Sequence, residues 1–328
     1  MGKDGIVLFD LDPDWGHGAR IAECLELSVS PHEERSFEDG ELKVRPLVGV
    51  RNRDVYVVQS LHGDAERSVH DKLCRLLIFV GAVKDASAAR VTVVTPYLAY
   101  ARKDRRTKPR DPVTIRYLAS MMEAVGVDRV VAVDVHNEAA FENAFRCRTE
   151  HLEARTLFVA HLVPLVGQGA LSVVSPDVGG VKRAVRLRDS LEHALGREVG
   201  LAFMEKTRSG GVVGGGTLVG DVRGRMVVIL DDLISTGTTM MRAAAACRAV
   251  GGGPVFALAT HGLFVGGAPA VIASPLFDRV VVTDTLPPFR LPEKLAARHV
   301  TVLGTAPLLA EAIARIHGGG SVSELLAD

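Results

Sequence analysis

Aromatic residues are scarce in this chain, 5% of 328 residues with a single tryptophan, and so are cysteines, of which there are four. Cys24, Cys74, Cys147 and Cys247 lie far apart and form no CxxC pair. That spacing argues against a disulfide framework or a zinc site and predicts reduced, mostly buried thiols in a cytoplasmic protein. No sign of charge dominates, since Lys+Arg and Asp+Glu are both 39. The chain therefore lacks the global basic field of a nucleic-acid binder, and any polyanion site must be local. Apolar runs stop well short of the roughly 20 residues that span a bilayer, and the first dozen residues carry acids where an export signal would be basic and then apolar. No membrane segment is expected.

Hydrophobic residues make up 47% of the chain and there are 33 glycines. That composition fits an α/β protein of Val/Ile/Leu strands, Ala/Leu helices and tight turns, and the length allows two domains with real cores. Residues 227–239 read Val-Val-Ile-Leu-Asp-Asp-Leu-Ile-Ser-Thr-Gly-Thr-Thr and precede an alanine-rich stretch over 240–250. This order predicts a buried parallel strand, a loop and a helix N-terminus. Backbone N–H groups of the first helical turn lack intrahelical partners and carry the positive end of the helix dipole, so a phosphate fits there. The hydroxyls of Ser235, Thr236, Thr238 and Thr239 add donors, and Gly237 lets the backbone approach. Asp231 and Asp232, placed at the carboxyl end of the strand, can accept hydrogen bonds from two vicinal hydroxyls, which describes a ribose 5-phosphate site. No Walker lysine follows the glycine, so this is not a P-loop.

Apolar runs predict further strands over 6–9, 55–59, 91–95, 129–133, 171–174, 199–203, 255–259, 280–283 and 300–303, with helices over 18–27, 68–83, 114–124, after the loop over 175–183 to about 195, and 306–316. Strand–loop–helix repeats call for parallel sheets with ligands off the strands' carboxyl ends. Residues 35–45 carry an Asp39-Gly40 turn between two short strands, open to a purely structural or a functional reading. Six basic residues crowd the loop over 96–110, which favours a compact polyanion such as a nucleotide polyphosphate. Asp134-Val135-His136 ends one strand. Its histidine fits a structural role, and beside a polyphosphate loop a magnesium-linked one fits comparably. Asp177 is a further carboxylate candidate or a turn former. The glycine-dense stretch over 205–220 reads as a flap carrying Lys206 and Arg208, or as a plain hairpin. The pattern starts over near residue 150, giving two similar α/β domains with a ligand cleft between them.

Five segments occur in one order: Phe37-Glu38-Asp39-Gly40-Glu41; Pro96-Tyr97 with Tyr100-Ala101-Arg102-Lys103-Asp104-Arg105; Asp134-Val135-His136; Val174-Ser175-Pro176-Asp177-Val178-Gly179-Gly180-Val181-Lys182-Arg183-Ala184; and the loop from Asp231 to Thr239. The last alone resembles a motif shared with phosphoribosyltransferases. The set resembles the ribose-phosphate pyrophosphokinase family across almost the whole chain. The resemblance implies two phosphoribosyltransferase-type domains, each a mainly parallel sheet flanked by helices. An N-terminal domain over 1–150 would serve ATP, one over 151–305 would serve ribose 5-phosphate, and a helix and tail over 306–328 would return to the first. It implies that the anomeric hydroxyl of ribose 5-phosphate attacks the β-phosphorus of ATP and AMP leaves. Phe37, Asp39 and Glu41 would form the adenine pocket near a subunit interface of a homo-oligomer, dimer or hexamer. Arg102, Lys103 and Asp104 would hold ATP, and His136 and Asp177 would be the Mg2+-linked pair. Lys206 and Arg208 would stabilise the transition state. Asp231 and Asp232 would take the ribose hydroxyls, and Ser235, Thr236, Gly237, Thr238 and Thr239 the 5-phosphate. Lys103 stands where glutamine is more familiar, and His70 where asparagine is. A phosphoribosyltransferase or a non-catalytic regulatory homologue is the competing reading.

Overall fold

The computed structural model describes residues 5–325 except 206, 207, 210, 211, 214 and 215, with the backbone alone at 208, 209, 212 and 213. The chain divides into two compact units, Met1–Glu153 with Thr305–Ala327, and Ala154–Gly304.

In the first unit β1 (Ile6–Asp10) leads into α1 (His17–Cys24), a hairpin of β2 (His32–Ser36) and β3 (Leu42–Pro46), then β4 (Asp54–Val58). There follow α2 (Val69–Asp85), β5 (Arg90–Thr95), α3 (Thr114–Ala124), β6 (Arg129–Val133), α4 (Glu138–Ala144) and β7 (Arg148–Leu152). The five-stranded sheet runs β1-β4-β5-β6-β7, parallel throughout, and β2-β3 stands apart as an antiparallel pair. All five residues of β1 and of β4 are buried, as a parallel strand covered on both faces requires. A capping box starts α2: Ser68 Oγ accepts from the Asp71 N–H at 3.2 Å and Asp71 Oδ2 accepts from the Ser68 N–H at 2.8 Å.

The second unit contains α5 (Arg155–Val166), β8 (Leu171–Ser175), α6 (Val181–Leu195), β9 (Gly200–Glu205), β10 (Arg208–Ser209), β11 (Val212–Val213) and β12 (Thr217–Val219). It continues with β13 (Met226–Ile234), α7 (Thr238–Ala249), β14 (Val255–Gly262), α8 (Ala268–Ile272), β15 (Arg279–Thr283), α9 (Glu293–His299) and β16 (Val300–Leu303). Seven of its described strands form one sheet in the order β12-β9-β8-β13-β14-β15-β16, with only the β12 edge antiparallel, and β10-β11 form a separate pair. The fold class is the expected one. The strand orders differ between the units, however: the first runs in one direction, whereas the second reverses where β13 pairs on the far side of β8 from β9. In open α/β sheets such a reversal opens a crevice beyond the strands' carboxyl ends.

The last helix, α10 (Ala306–Gly318), packs on α1 within the first unit. Inside that contact the His17 ring meets Thr305 Oγ1 at 2.9 Å. At its far end His317 Nδ1 lies 2.8 Å from Asp54 Oδ2, a carboxylate that also accepts from Arg90 Nε at 2.8 Å and from the Tyr56 hydroxyl at 3.0 Å. Among the described residues no helix is long and apolar enough to cross a membrane. The strands expected over 227–230 and 255–259 are longer than the apolar runs showed, because each continues through polar residues that still pair.

Asp54→Ala removes the acceptor shared by Arg90, Tyr56 and His317. It is expected to cost roughly 2 kcal/mol, less than a fully dry pair would because Arg90 is partly exposed. Amide exchange in α10 should quicken together with a lower melting temperature; unchanged exchange there would show that Asp54 does not hold the helix.

Candidate active site

The acid pair lies within β13, two residues short of its end, rather than at the carboxyl end that the apolar run marked. The reason is unequal neighbours. Pairing with β14 continues through Asp231↔Ala259, Leu233↔His261 and Ile234↔Gly262, whereas pairing with β8 stops at Ile229↔Val174. Both acids therefore sit on a stretch that is paired on one side and opens on the other toward the β8 end. The Asp231 side chain is 23% exposed and that of Asp232 5%. Burial first, and then the neighbouring Asp232 carboxyl, push the Asp231 carboxyl up to about 8.

One guanidinium balances the pair. Arg183, in the first turn of α6, places Nη1 3.4 Å from Asp231 Oδ1 and 3.4 Å from Asp232 Oδ1. Arg183 belongs to the Val174–Ala184 motif, but its role is not legible there, because the adjacency of β8 and β13 is a property of the fold. The same motif holds Asp177, whose Oδ1 accepts from the Gly180 N–H at 3.0 Å. The switch point thus gathers the Asp177 loop, Arg183 and the acid pair at the β8–β13 ends.

After the strand, Ser235 accepts at its carbonyl from the Val265 N–H at 3.0 Å, and the Thr236 and Thr238 hydroxyl oxygens lie 3.0 Å apart. Gly237 is the N-cap of α7 with φ of 77°, and a Cβ there would stand 2.8 Å from Val271 Cγ1. Only glycine meets both demands. The first intrahelical bond runs from the Met241 N–H to the Gly237 carbonyl at 2.9 Å. The N–H groups of Thr238, Thr239 and Met240 precede it, and among the described residues no side chain caps the helix. The second unit therefore joins an anion cradle to a carboxylate pair a few residues away, which is complementary to a sugar carrying both hydroxyls and a phosphate.

In the first unit, the loop after β5 turns through Tyr100, at φ of 62°, and its hydroxyl meets His70 Nδ1 at 2.5 Å. Arg102 is exposed. Lys103 is not: its ammonium donates to Asp111 Oδ2 at 2.6 Å and to Thr107 Oγ1 at 2.8 Å. Asp111 also accepts from the Thr107 and Lys108 N–H groups, and this set of donors, led by Lys103, holds its carboxyl well below the usual range. Lys103 therefore braces the basic loop in this structure. Asp104 accepts from Asn137 Nδ2 at 2.6 Å, which brings the loop beside exposed His136. Phe37, Asp39 and Glu41 sit together at the tip of the β2–β3 hairpin, where Arg35 lies 5.0 Å over the Phe37 ring and Asp39 accepts from the Glu41 N–H at 3.1 Å. His136 and Asp177 belong to different units. Lys206 lies outside the described residues, and of Arg208 only the backbone is described, paired with Val213. Among the described residues no group of three or more His, Cys, Asp or Glu is placed to hold a metal.

Residues 6–126 match the N-terminal domain of ribose phosphate pyrophosphokinase, residues 162–259 a phosphoribosyl transferase domain, and residues 212–327 a phosphoribosyl synthetase-associated domain. The chain is 38% identical to the ribose-phosphate pyrophosphokinase of Hyphomonas neptunium, over 93% of this chain and 94% of that one. It is 37% identical to that of Pasteurella multocida over 93% and 94%. Its structure superposes on the crystal structure of phosphoribosylpyrophosphate synthetase from Mycobacterium smegmatis with a TM-score of 0.85 at 33% identity, covering 97% of this chain and 100% of the other.

The folded chain keeps a proton on Asp231 that the unfolded chain, with the ordinary value of 3.8, has released, so this group's contribution to stability falls as pH rises from about 4 to about 8. Asp231→Asn removes that loss. In thermal melts the variant should gain on the wild type as pH rises from about 4 to about 8; a gap constant with pH would contradict the assignment.

Proposed function

The chain belongs to the ribose-phosphate pyrophosphokinase family and is a ribose-phosphate diphosphokinase, and we propose how its residues divide the work of moving the β,γ-diphosphoryl group of ATP to ribose 5-phosphate. The observation that carries the proposal is the second unit's switch point, where an acid pair balanced by Arg183 stands beside an uncapped helix N-terminus. The 5-phosphate sits on the N–H groups of 237–240 and the hydroxyls of Ser235, Thr236, Thr238 and Thr239. Asp231 and Asp232 accept from the sugar's two hydroxyls. Two fixed handles orient the anomeric hydroxyl, and this kind of chemistry is mostly positioning and charge neutralisation.

ATP is assigned to the first unit: adenine to Phe37, Asp39 and Glu41, phosphates to Arg102, with Asp104 fixing the loop through Asn137 and Lys103 acting through its brace to Asp111. The exposed Phe37 at the hairpin tip suits an adenine site completed by a second copy in a homo-oligomer. The anomeric oxygen forms a bond to the β-phosphorus, the bond from that phosphorus to the α-phosphate oxygen breaks, and AMP leaves with the electron pair. Lys206 and Arg208 are assigned the charge that develops on the transferred group.

Mg2+ fits the donor set. With no cluster of three protein ligands among the described residues, and with His136 exposed and Asp177 half-buried, the residues suit a cation held chiefly through substrate phosphates and water. When bound it neutralises phosphate charge, and His136 and Asp177 are the residues proposed to hold it. We take the cytoplasm, where ATP is used, as the compartment. Relatives of matching length named as pyrophosphokinases set aside the phosphoribosyltransferase and non-catalytic readings.

Purified protein given magnesium, ATP and ribose 5-phosphate should form AMP and phosphoribosyl pyrophosphate together; ADP as the product would overturn the assignment. Lys206→Ala should slow turnover on the order of 10²-fold. Gly237→Ala, strained by its φ and by Val271, should raise the KM for ribose 5-phosphate by at least about ten-fold while sparing that for ATP. An equal rise for both substrates would mean that the loop is not the sugar-phosphate site.

A further inference from the structure

The two sides of the β2–β3 hairpin carry charge differently. On the outer side Glu33 pairs with Lys43 at 3.2 Å and with Arg45 at 2.5 Å, in the exposed setting where such pairs contribute little. On the inner side the His32 ring meets Phe79 edge-on at 5.6 Å and Val44 is buried in the core. Between them in the same alternation stands Glu34, opposite Val44 in register. Glu34 Oε2 accepts from Arg75 Nη1 at 3.1 Å and Oε1 from Arg67 Nη2 at 2.8 Å.

Arg75 does not end there. Its side chain is 2% exposed, and Nη2 donates to Asp12 Oδ1 at 3.1 Å. Asp12 Oδ2 accepts from Lys72 Nζ at 3.0 Å, and Lys72, 1% exposed, reaches Asp64 at 2.7 Å. Lys72 and Arg75 are three apart on one face of α2. One chain of ion pairs thus ties the loop after β1, the turn after β4, α2 and the hairpin.

Stability alone does not account for this chain. Removing each ion from water costs several kcal/mol, and apolar residues of like volume often do as well or better. What fixed donors and acceptors supply is direction. Arg75 is anchored to the sheet side through Asp12, and its second nitrogen grips the hairpin at Glu34, three residues before Phe37. The apolar contacts at His32 and Val44 hold the hairpin down, whereas the Glu34 fork sets where its tip lies.

We propose that Glu34, gripped by Arg75 and Arg67, is a positioning residue for ATP, fixing the hairpin so that Phe37, Asp39 and Glu41 meet the adenine. This rests on the reading of the hairpin tip as the adenine pocket. Steady-state kinetics of the full-length enzyme test it. Glu34→Ala should raise the KM for ATP about ten-fold, with kcat and the KM for ribose 5-phosphate within about two-fold. Glu34→Gln, which keeps an acceptor but loses charge, should raise it only about three-fold, and Glu33→Ala on the outer side should leave all three constants unchanged. General destabilisation would lower the active fraction, and so kcat, without moving the KM. Should Glu34→Ala fail to fold, Glu34→Gln decides: an unchanged KM for ATP overturns the proposal. Phe37→Ala separates the two readings. If it raises the KM for ATP while the Glu34 variants do not, the positioning role falls and the pocket stands; if none of them moves it, both fall.

Discussion

Two adjacent carboxylates on a largely buried strand repel each other, and water is too scarce there to screen them. The second unit is arranged around that repulsion. β13 must run past β8 for the acids to face an opening, and β14 must run as far as β13 so that the backbone there stays paired. Arg183 must reach over from α6 to divide its charge between the two acids, and burial, with the Asp232 carboxyl beside it, raises the pKa of Asp231 beyond what that guanidinium offsets. A ligand with two hydroxyl donors and a phosphate a few ångströms further on satisfies both ends at once. The acid pair and the α7 N-terminus, which no side chain caps among the described residues, are thus two halves of one complementarity.

Much of the fold was legible in the sequence because buried parallel strands are written as apolar runs. The runs over 129–133 and 300–303 coincide with β6 and β16, and the amphipathic stretch over 114–124 coincides with α3. Strand ends were less legible. β13 and β14 continue through Asp231, Asp232, Thr260 and His261, where polarity broke the apolar pattern although the backbone pairing went on. β7, reading Arg-Thr-Glu-His-Leu at the sheet edge, has no such pattern to recognise, nor does the short α4. Strand order was illegible for a different reason: it is a property of neighbours in space, and the reversal at β8 and β13 leaves no local trace in the residues.

The site shows the same division. Residue types at loop positions named the sugar-phosphate cradle, since hydroxyls, one glycine and an acid pair are a local pattern. Why Gly237 is glycine became visible only with Val271 beside it. Lys103 read as one more cation for a polyphosphate, yet Asp111, eight residues on, already holds it. Sequence shows which charges are present, and the fold determines which of them are spent on one another. The first unit makes the point at larger scale: Lys72 and Arg75 share a helix face, but no spacing rule would have joined them to Asp12, Glu34 and Asp64.

The central claim is that the β13–α7 junction is the handle for ribose 5-phosphate, and a crystal structure of the protein with that sugar phosphate bound tests it most directly. The account predicts the phosphate against the N–H groups at 237–240 with two ring hydroxyls on Asp231 and Asp232. A sugar phosphate bound elsewhere, with no hydroxyl on Asp231 or Asp232, would contradict it.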